Sequence, residues 1–368
     1  MRNIIINQNK RIGFCITCMN RLHHLKETLV KNMEDNYLPD DTEFVLLDYN
    51  SSDGLEEWVK QNLKKYIDIG MLIYYKTTTP NSYLRSHSRN MAFRLSDSRL
   101  VCNLDADNFL GNGFAAFMLQ EFQNKDNIFY TSNYSCRDVI GRVCLEKSDF
   151  MKIGGYNEAL VGYGVEDVEL FDRLIKHGLE QCFFYRNEFY NALNHSNEER
   201  ISQEYMIKLI DSIYLSYINP SYTYALLLYN NSHCEYGAII DNFHLNHNRF
   251  DDIVLINNNC MDEKFRITIK DKWETGIWFD NPDELIVKIG EQTKFLKKTD
   301  TGLKDEEQPF YKIYDSELQI KIIMIIMEAL NFKKVKEIVE NNDIINENGF
   351  GKGIVYKNFN YSEQIFLK

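Results

Sequence analysis

Short apolar runs alternate with amphipathic stretches along the first hundred residues of the chain. The runs cover residues 12–17, 43–47 and 71–75, and each has the length and flanking polar residues of a buried strand. Between the first two runs, the apolar residues from Leu22 to Met33 are three or four positions apart, as on one face of a helix. Strands that alternate with helices predict βαβ units, so we expect an α/β fold with a mostly parallel sheet flanked by helices.

A fourth apolar run, residues 100–104, ends in the only Asp-x-Asp of the sequence, which is formed by Asp105 and Asp107. The carboxyl ends of strands in open α/β sheets form the edge at which ligands bind. Two carboxylates at that edge suit a hard divalent cation that holds a nucleotide diphosphate. For this triplet alone, the alternative is a polar strand end that leads into a solvated loop.

The pattern changes after Asp107 and predicts a second region at the carboxyl end. We expect two domains, residues 1–220 and 221–368, the second an extension of mixed helices and strands whose role the sequence does not identify. The elements predicted beyond Asp107 are a helix at 114–122, strands at 128–132 and 143–145, a helix at 165–177, a polar helical stretch at 198–217, strands and loops over 222–290 with an Asn-rich turn at 257–259, and a helix or helix pair at 315–340.

Composition and charge exclude several classes of protein. The 368 residues carry a formal net charge of −12, which opposes binding to nucleic acid. No stretch approaches the ~18 consecutive apolar residues of a membrane span, and we expect no secretory signal at the amino terminus. The eight irregularly spaced cysteines are expected to be reduced, and the pair Cys15 and Cys18 to pack within a strand. These features favour a cytoplasmic protein, free or at the inner face of the membrane.

A second acidic pair, Glu166-Asp167, follows a glycine-rich loop and begins the helix predicted at 165–177. Carboxylates in a first helical turn often do no more than interact with the helix dipole, an effect of about 0.3–1 kcal/mol. A carboxylate beside such a loop can also act as general base for a sugar hydroxyl, because it is ionised at neutral pH. Tyr156 and Tyr163 would offer flat faces to that sugar.

Three segments resemble glycosyltransferase motifs and occur along the chain in the order that the motifs have in the family. GGYNEALVGYGVEDVELFDRL resembles the carboxyl-terminal signature of galactosyltransferase-type enzymes, and SHSRNMAFRLSDSRLVCNLDADNF resembles the donor segment of family 2 glycosyltransferases. LLDYNSSDG resembles the Asp-rich loop after the second strand of that family. The resemblance covers residues 10–200 and implies the GT-A fold, with sugar transfer from a nucleotide-activated donor. One departure is Tyr163, which stands where the family usually has Trp.

The resemblance also implies which residues bind the nucleotide. Asp48 matches the position that hydrogen-bonds the uracil. Arg85 and Arg89 lie on the helix that faces the donor, where a guanidinium can pair with phosphate; a solvated helix face is the alternative for either arginine. The residues placed near the base and the ribose are Thr17, Asn20 and Arg21.

A metal site and an acidic pair at the acceptor are implied as well. Asp107 matches the direct metal ligand. Asp105 matches a carboxylate that acts on the metal through a water molecule or contacts the ribose. His195 matches a further ligand, although a lone histidine outside this context is more often structural. Carboxylate and imidazole ligands suit Mn²⁺ better than Mg²⁺. Asp167 matches the general base, and Glu166 the residue that orients the acceptor.

We therefore expect a metal-dependent, inverting glycosyltransferase that moves a hexose or N-acetylhexosamine, with a galactose-type sugar favoured, from a UDP-sugar to a saccharide or lipid-linked saccharide. Bacterial surface polysaccharide synthesis is the expected setting, and the carboxyl-terminal region is the expected surface for any oligomer. Two alternatives stay open. A retaining transferase of the same fold needs no base, so it would tolerate Asp167→Asn, whereas a sugar-binding or scaffold subunit would transfer nothing.

Overall fold

The structure is a computed structural model that describes residues 11–133, 137–219, 222–240, 268–306 and 308–368. The amino-terminal residues 1–10, the predicted turn at 257–259 and two of the cysteines, Cys136 and Cys260, lie outside these ranges. The described chain forms two compact units. The first comprises Met1–Val161, Val165–His195 and Ile338–Lys368, and the second comprises Gly162–Gly164 and Ser196–Glu337.

The helices and strands follow in chain order. The strands are β1 Ile12–Cys18, β2 Thr42–Tyr49, β3 Leu72–Thr77, β4 Leu100–Asn103, β5 Ile128–Thr131, β6 Val143–Glu146, β7 Glu180–Phe183, β8 Ile210–Asn219, β9 Tyr222–Tyr229, β10 His233–Ile240, β11 Thr268–Asp280, β12 Glu284–Ile289, β13 Gln292–Thr299, β14 Gly302–Lys304, β15 Pro309–Lys312, β16 Gly353–Lys357 and β17 Ile365–Leu367. The α-helices are α1 Leu22–Asn36, α2 Leu55–Asn62, α3 Lys64–Asp68, α4 Arg85–Leu95, α5 Phe114–Asn124, α6 Lys147–Lys152, α7 Glu166–Lys176, α8 Asn197–Ile201, α9 Tyr205–Leu209 and α10 Ser316–Asn341. Two 3₁₀ helices cover Arg137–Val139 and Asn187–Tyr190.

The first unit is built on a nine-stranded sheet with the order β17-β16-β3-β2-β1-β4-β6-β5-β7. Strands β3, β2, β1 and β4 are parallel, whereas β6 is antiparallel to both β4 and β5. Every residue of β1, β2 and β4 is buried, as expected of strands covered on both faces. Phe14 and Ile16 pack on one face, whereas Cys15 packs on the other. The predicted fold class, a mostly parallel sheet flanked by helices, is confirmed.

The division between the units differs from the predicted domains 1–220 and 221–368. A boundary at 220 would cut between β8 and β9, which pair as neighbours with Leu215 opposite Ala225. The polar stretch predicted to be helical at 198–217 forms two short helices and then the start of β8, because its last eight residues join this pairing. The change from one unit to the other falls between His195 and Ser196 instead.

The last thirty-one residues, Ile338–Lys368, return to the first unit, and we call this segment the strap. Its strand β16 pairs antiparallel with β3 and extends the sheet. Phe350 is 8% exposed and packs edge-to-face on Phe150 in the core. The side chain of Arg94 donates hydrogen bonds to the carbonyl groups of Phe350 and Gly351. The sheet of the first unit is therefore completed by sequence from the far end of the chain.

The second unit contains a closed antiparallel barrel of strands β8 to β15. Strands over residues 222–290 and a helix near 315–340 were both predicted, and α10 packs its apolar residues against β8 and β9. The loop Gly162–Gly164 belongs to this unit, where Asn331 of α10 donates a hydrogen bond to the carbonyl of Gly164. A side chain at Gly162 would collide with Met327 of the same helix.

Two further sequence predictions can be compared with the structure. The six cysteines in the described ranges are free thiols, and Cys15 and Cys18 are buried in β1, where burial raises the pKa of both thiols. Within the described ranges, no helix is both long enough and apolar enough to cross a membrane.

We expect Phe350→Ala to destabilise the first unit by about 3 kcal/mol, because removing a buried aromatic ring leaves a cavity in a packed core. Denaturation in urea measures this loss. Phe366 lies in the same strap but is 57% exposed, so Phe366→Ala serves as the control and should change the free energy of unfolding little. Equal stability of the two variants would show that the strap does not contribute to the core.

Candidate functional site

The Asp-Ala-Asp loop leaves the sheet directly after β4 and is held by α1. Thr28 donates a hydrogen bond of 2.7 Å to the carbonyl of Ala106, and Asn32 donates one of 2.8 Å to the carbonyl of Asn108. Asn36 continues the same helix face, since these three side chains are four positions apart. We call Thr28, Asn32 and Asn36 the polar stripe; all three are buried. The stripe fixes the loop that carries both aspartates.

A buried arginine, Arg142, holds the same loop from another side. One of its nitrogens donates to the Asn108 side chain at 3.0 Å and to the carbonyl of Phe109 at 2.9 Å. Another donates to the carbonyl of Phe189. Burial lowers the pKa of Arg142. The guanidinium is bonded to neutral oxygens, and it joins the aspartate loop to the segment that leads to His195.

Asp107 and His195 are brought together although 88 positions separate them. The Leu193 amide donates to the Asp107 carbonyl at 2.8 Å, and Asn108 forms a bridge with Ala192. This pairing places Asp107 Oδ2 2.7 Å from His195 Nε2. A carboxylate oxygen and an imidazole nitrogen so close together can bind one divalent transition-metal ion in place of their mutual hydrogen bond.

Arg89 lies at the centre of the site and is only 2% exposed. Its Nη1 atom is 2.8 Å from Asp167 Oδ1 and 3.4 Å from Glu166 Oε1, and its Nη2 atom is 3.1 Å from Asp105 Oδ1. One guanidinium therefore joins the first aspartate of Asp-x-Asp to the acidic pair. Arg85 approaches the same pair, with its Nε 3.5 Å from Glu166 Oε1. Contacts of the two arginines with phosphate stay predictions.

The carboxylates around Arg89 differ in their pKa values. Burial raises the pKa of Asp167 to about 7, an effect that Arg89 opposes and Glu166 adds to. Burial acts in the same direction on Asp105, but Arg89 and a hydrogen bond from Asn103 outweigh it and hold the pKa of Asp105 below its usual range. Near neutral pH, Asp105 is an anion while Asp167 can both take up and release a proton, as a general base requires.

The acidic pair begins helix α7 after an unusual backbone conformation. Val165 has a φ of 79°, in the left-handed region that a β-branched residue rarely occupies. Strain of this kind is typical of functional sites, where the surrounding structure imposes it. The Glu166 Oε2 atom is buried and has no hydrogen-bond partner among the described residues. It is thus a buried acceptor next to the predicted base.

The predicted uracil contact, Asp48, lies at the end of β2 with no exposed surface. It accepts hydrogen bonds from the Tyr74 hydroxyl at 2.7 Å and from the Ser51 amide at 2.8 Å. Thr17, at the end of the neighbouring β1, shares a hydrogen bond of 2.7 Å with the Tyr83 hydroxyl. Both residues lie at the expected sheet edge, and their contacts with a nucleotide stay predictions.

The two remaining residues that are predicted to bind the nucleotide, Asn20 and Arg21, lie in the loop between β1 and α1. Asn20 accepts a hydrogen bond of 2.7 Å from the Ser52 amide, and Arg21 directly precedes the first residue of α1. Asp53 accepts a hydrogen bond of 2.8 Å from the Leu22 amide, which would otherwise be unpaired at the start of that helix. The polar residues of the second-strand loop thereby order the loop that follows β1.

The prediction that Tyr156 offers a face to a sugar is wrong, because this residue has no exposed surface. Its ring lies under the guanidinium of Arg89, 5.5 Å from Cζ to the ring centre. The Asn90 side chain accepts from the Tyr156 amide at 2.7 Å, and Asn346 of the strap donates to the Tyr156 carbonyl at 2.7 Å. Tyr156 therefore supports the central arginine. Tyr163 is half-buried against the apolar core of the second unit.

Several residues of the site carried no assignment from the sequence. The polar stripe left a signal, because polar residues four positions apart on an otherwise apolar helix face suggest buried hydrogen bonds. Arg142 and Asn346 left none, since each makes its contacts with residues far away in the sequence. The strap residue Asn346, for example, bonds to a residue 190 positions earlier.

A comparison with models of known protein families finds one match, which covers part of the chain. Residues 129–196 match the model described as the N-terminal domain of galactosyltransferase. The matched segment is similar to that family over these residues alone. It includes β5, β6, α7 and the acidic pair, so the predicted resemblance is confirmed there. A comparison with curated protein sequences finds no match.

Solved structures of glycosyltransferases are similar to part of the chain. PcManGT, a mannosyltransferase from Pyrobaculum calidifontis in complex with GDP-Man and Mn²⁺, is 16% identical, with a TM-score of 0.41 over 48% of this chain and 55% of that chain. TarS from S. aureus is 12% identical, with a TM-score of 0.42 over 51% and 61% of the two chains. The Drosophila beta1,4galactosyltransferase 7 catalytic domain is 12% identical, with a TM-score of 0.37 over 53% and 75%. The chain thus spans less than two thirds of the first two structures.

Replacing Arg89 with methionine should destabilise the protein by about 3–5 kcal/mol at neutral pH, because it leaves buried carboxylates without their cation. The carboxylates would then protonate more readily, so the loss should be largest above pH 7 and shrink toward pH 5. Urea denaturation at several pH values measures this trend.

Arg99→Met is the matched control. Arg99 makes an exposed ion pair with Glu146, which contributes less than about 1 kcal/mol. A loss for Arg89→Met that did not change with pH would contradict the role of Arg89 as counter-ion to the three carboxylates.

Proposed function

We propose that the chain is an inverting glycosyltransferase of the GT-A type that uses a nucleotide-sugar donor. The observation that carries the proposal is the contact of one buried guanidinium with Asp105 and with Asp167. The resemblance assigns the first carboxylate to the donor side and the second to the acceptor side. The geometry supports a single site with two halves, as direct transfer of a sugar requires.

In this mechanism Asp167 removes the proton from the acceptor hydroxyl. The hydroxyl oxygen forms a bond to the anomeric carbon from the face opposite the leaving group. The bond from that carbon to the diphosphate oxygen breaks, and its electron pair leaves with the nucleoside diphosphate. Glu166, next to the base, orients the acceptor by accepting a hydrogen bond. Its unpartnered buried oxygen supports this role.

Asp107 and His195 would hold a divalent metal ion, with Asp105 acting through water or on the ribose. Their 2.7 Å separation and their mixed oxygen and nitrogen donors fit Mn²⁺. When bound, such an ion stabilises the negative charge that develops on the leaving diphosphate. Arg85 and Arg89 of helix α4, which lie 3.5 and 3.4 Å from Glu166 Oε1, would contribute positive charge to the same site.

For the substrates we propose a UDP-sugar donor of the galactose type and a saccharide acceptor, free or lipid-linked. A Drosophila beta1,4galactosyltransferase 7 structure that resembles part of this chain holds manganese, UDP-Gal and xylobiose, which is consistent with this assignment. We further propose a cytoplasmic enzyme of bacterial surface polysaccharide synthesis, in which Thr17, Asn20, Arg21 and Asp48 surround the nucleoside and residues 196–337 serve the acceptor or an oligomer contact.

Asp167→Asn should reduce transfer by about 10²–10⁴-fold, since the amide cannot accept the acceptor proton. Binding of UDP should persist, because the donor half is unchanged. Turnover of UDP-sugars measures the effect, and Asp172→Asn, on the exposed side of the same helix, is the control. Full activity of Asp167→Asn would favour a retaining mechanism, whereas no transfer by the wild type with any UDP-sugar would favour a scaffold subunit.

The rate should also depend on the protonation of Asp167. Below pH 7 the base is increasingly protonated, so log(kcat/KM) should rise with unit slope and level off above the Asp167 pKa of about 7. A pH–rate profile of the wild type tests this. The rise should be absent from the residual activity of Asp167→Asn; its persistence there would assign the titration to another group.

Removal of divalent metal with EDTA should abolish transfer, and Mn²⁺ should restore it. Asp107→Ala should lose the Mn²⁺-dependent part of UDP binding, which calorimetry can measure with and without the ion. Asp126→Ala, at an exposed position between α5 and β5, is the matched control. Mn²⁺-dependent UDP binding that survives Asp107→Ala would overturn the metal assignment.

A further inference from the structure

The barrel of the second unit carries three apolar side chains in a row on its outer surface. Phe279 of β11 is opposite Ile286 of β12, and Ile286 is opposite Phe295 of β13. Side chains directly opposite one another in an antiparallel sheet point to the same face and lie close together. Phe279 is 45% exposed and Phe295 is 57% exposed, so both phenyl rings lie at the surface. We call these three residues the apolar row.

The apolar row is not part of the barrel core. Its neighbours along the strands, Leu285, Val287 and Leu296, are buried and belong to the core cluster inside the barrel. Because side chains alternate between the two faces of a strand, the row points away from that core. Polar residues at the three outward positions would leave the core unchanged. Contiguous apolar side chains on a protein surface often mark a site of interaction with a partner or a membrane.

Lysines flank the apolar row on both sides. Lys288 lies two positions after Ile286 on the same face of β12, with its Nζ atom 5.4 Å from the centre of the Phe279 ring. On the other side of the row, Lys297 is opposite both Glu284 and Lys304. Three lysines and one glutamate give these flanks a net charge of +2, whereas the whole chain carries −12. The face therefore combines apolar rings with positive charge on an acidic protein.

We propose that this face of the barrel binds the surface of a bilayer that contains anionic lipids. Phenylalanine and isoleucine side chains are stabilised at the boundary between the lipid headgroups and the acyl chains. The hydrocarbon stems of lysines can lie along the same boundary while their ammonium groups contact lipid phosphates. The inference goes beyond the proposed function and does not depend on the transfer of a sugar.

Charge and chemistry distinguish a bilayer from two other occupants of this face. A second copy bound through the same face would bring its lysines against those of the first copy, because a two-fold contact is self-complementary. A saccharide is oriented by hydrogen bonds, but the side chains of the apolar row contain only carbon and hydrogen. An anionic bilayer accommodates both the rings and the lysines.

Co-sedimentation of the full chain with vesicles tests the proposal. The chain should bind vesicles of phosphatidylglycerol and phosphatidylethanolamine and should not bind vesicles of phosphatidylcholine alone. Binding should weaken between ~0.1 M and ~1 M salt, where the screening length falls from ~10 Å to ~3 Å. Phe295→Ser should lower the partition coefficient roughly tenfold or more, because one buried aromatic side chain is lost from the contact. Phe332→Ser is the matched control, since Phe332 of α10 is 56% exposed, and it should bind like the wild type.

Three outcomes would overturn the proposal. The first is a wild type that does not sediment with the anionic vesicles, and the second is unchanged binding by a variant with both Phe279→Ser and Phe295→Ser. The third is a dimer, detected by light scattering, that Phe295→Ser dissociates while vesicles are not bound, which assigns the face to a second copy. A thermal melt establishes that each variant is folded, and Phe295→Thr repeats the measurement with a side chain that favours strands. No sugar donor is used, so failure here leaves the proposed function in place.

Discussion

The buried guanidinium of Arg89 is the interaction on which the site depends. Removing a cation from water is costly unless nearby groups compensate its charge, and Asp105, Glu166 and Asp167 supply negative charge around Arg89. These carboxylates come from the end of β4 and the start of α7, so one side chain sets the relative position of both halves of the site. It also sets their protonation, because its charge lowers the pKa of Asp105 and limits the rise at Asp167.

Much of this architecture follows from local sequence. Strands β1 and β2 are continuous apolar runs with polar ends, and α7 begins at adjacent carboxylates, so all three elements could be located without knowing their neighbours. The pairing of Asp107 with His195 was implied by a family motif. A motif states which residues act on a common ligand, but a separation of 88 positions gives no local indication of how they meet.

The parts that sequence did not reveal depend on distant contacts. Arg89 was assigned to phosphate because the resemblance puts its helix facing the donor, and its carboxylate partners become visible only when α4 and α7 pack together. Tyr156 was assigned to a sugar because aromatic rings often bind sugars, yet here the ring supports a cation. The strap was missed because an edge strand such as β16 looks the same in sequence whichever sheet it joins.

The strap has a consequence for how the protein is made. Thr77, at the end of β3, and Gly353, at the start of β16, are 276 positions apart. At a synthesis rate of ~5–20 residues per second, the ribosome needs roughly 15–55 s to cover that distance. During this time the edge of β3 has unpaired backbone groups that invite association with other chains. The nascent chain therefore has a period of aggregation risk, in which a chaperone could cover the edge that β16 later occupies.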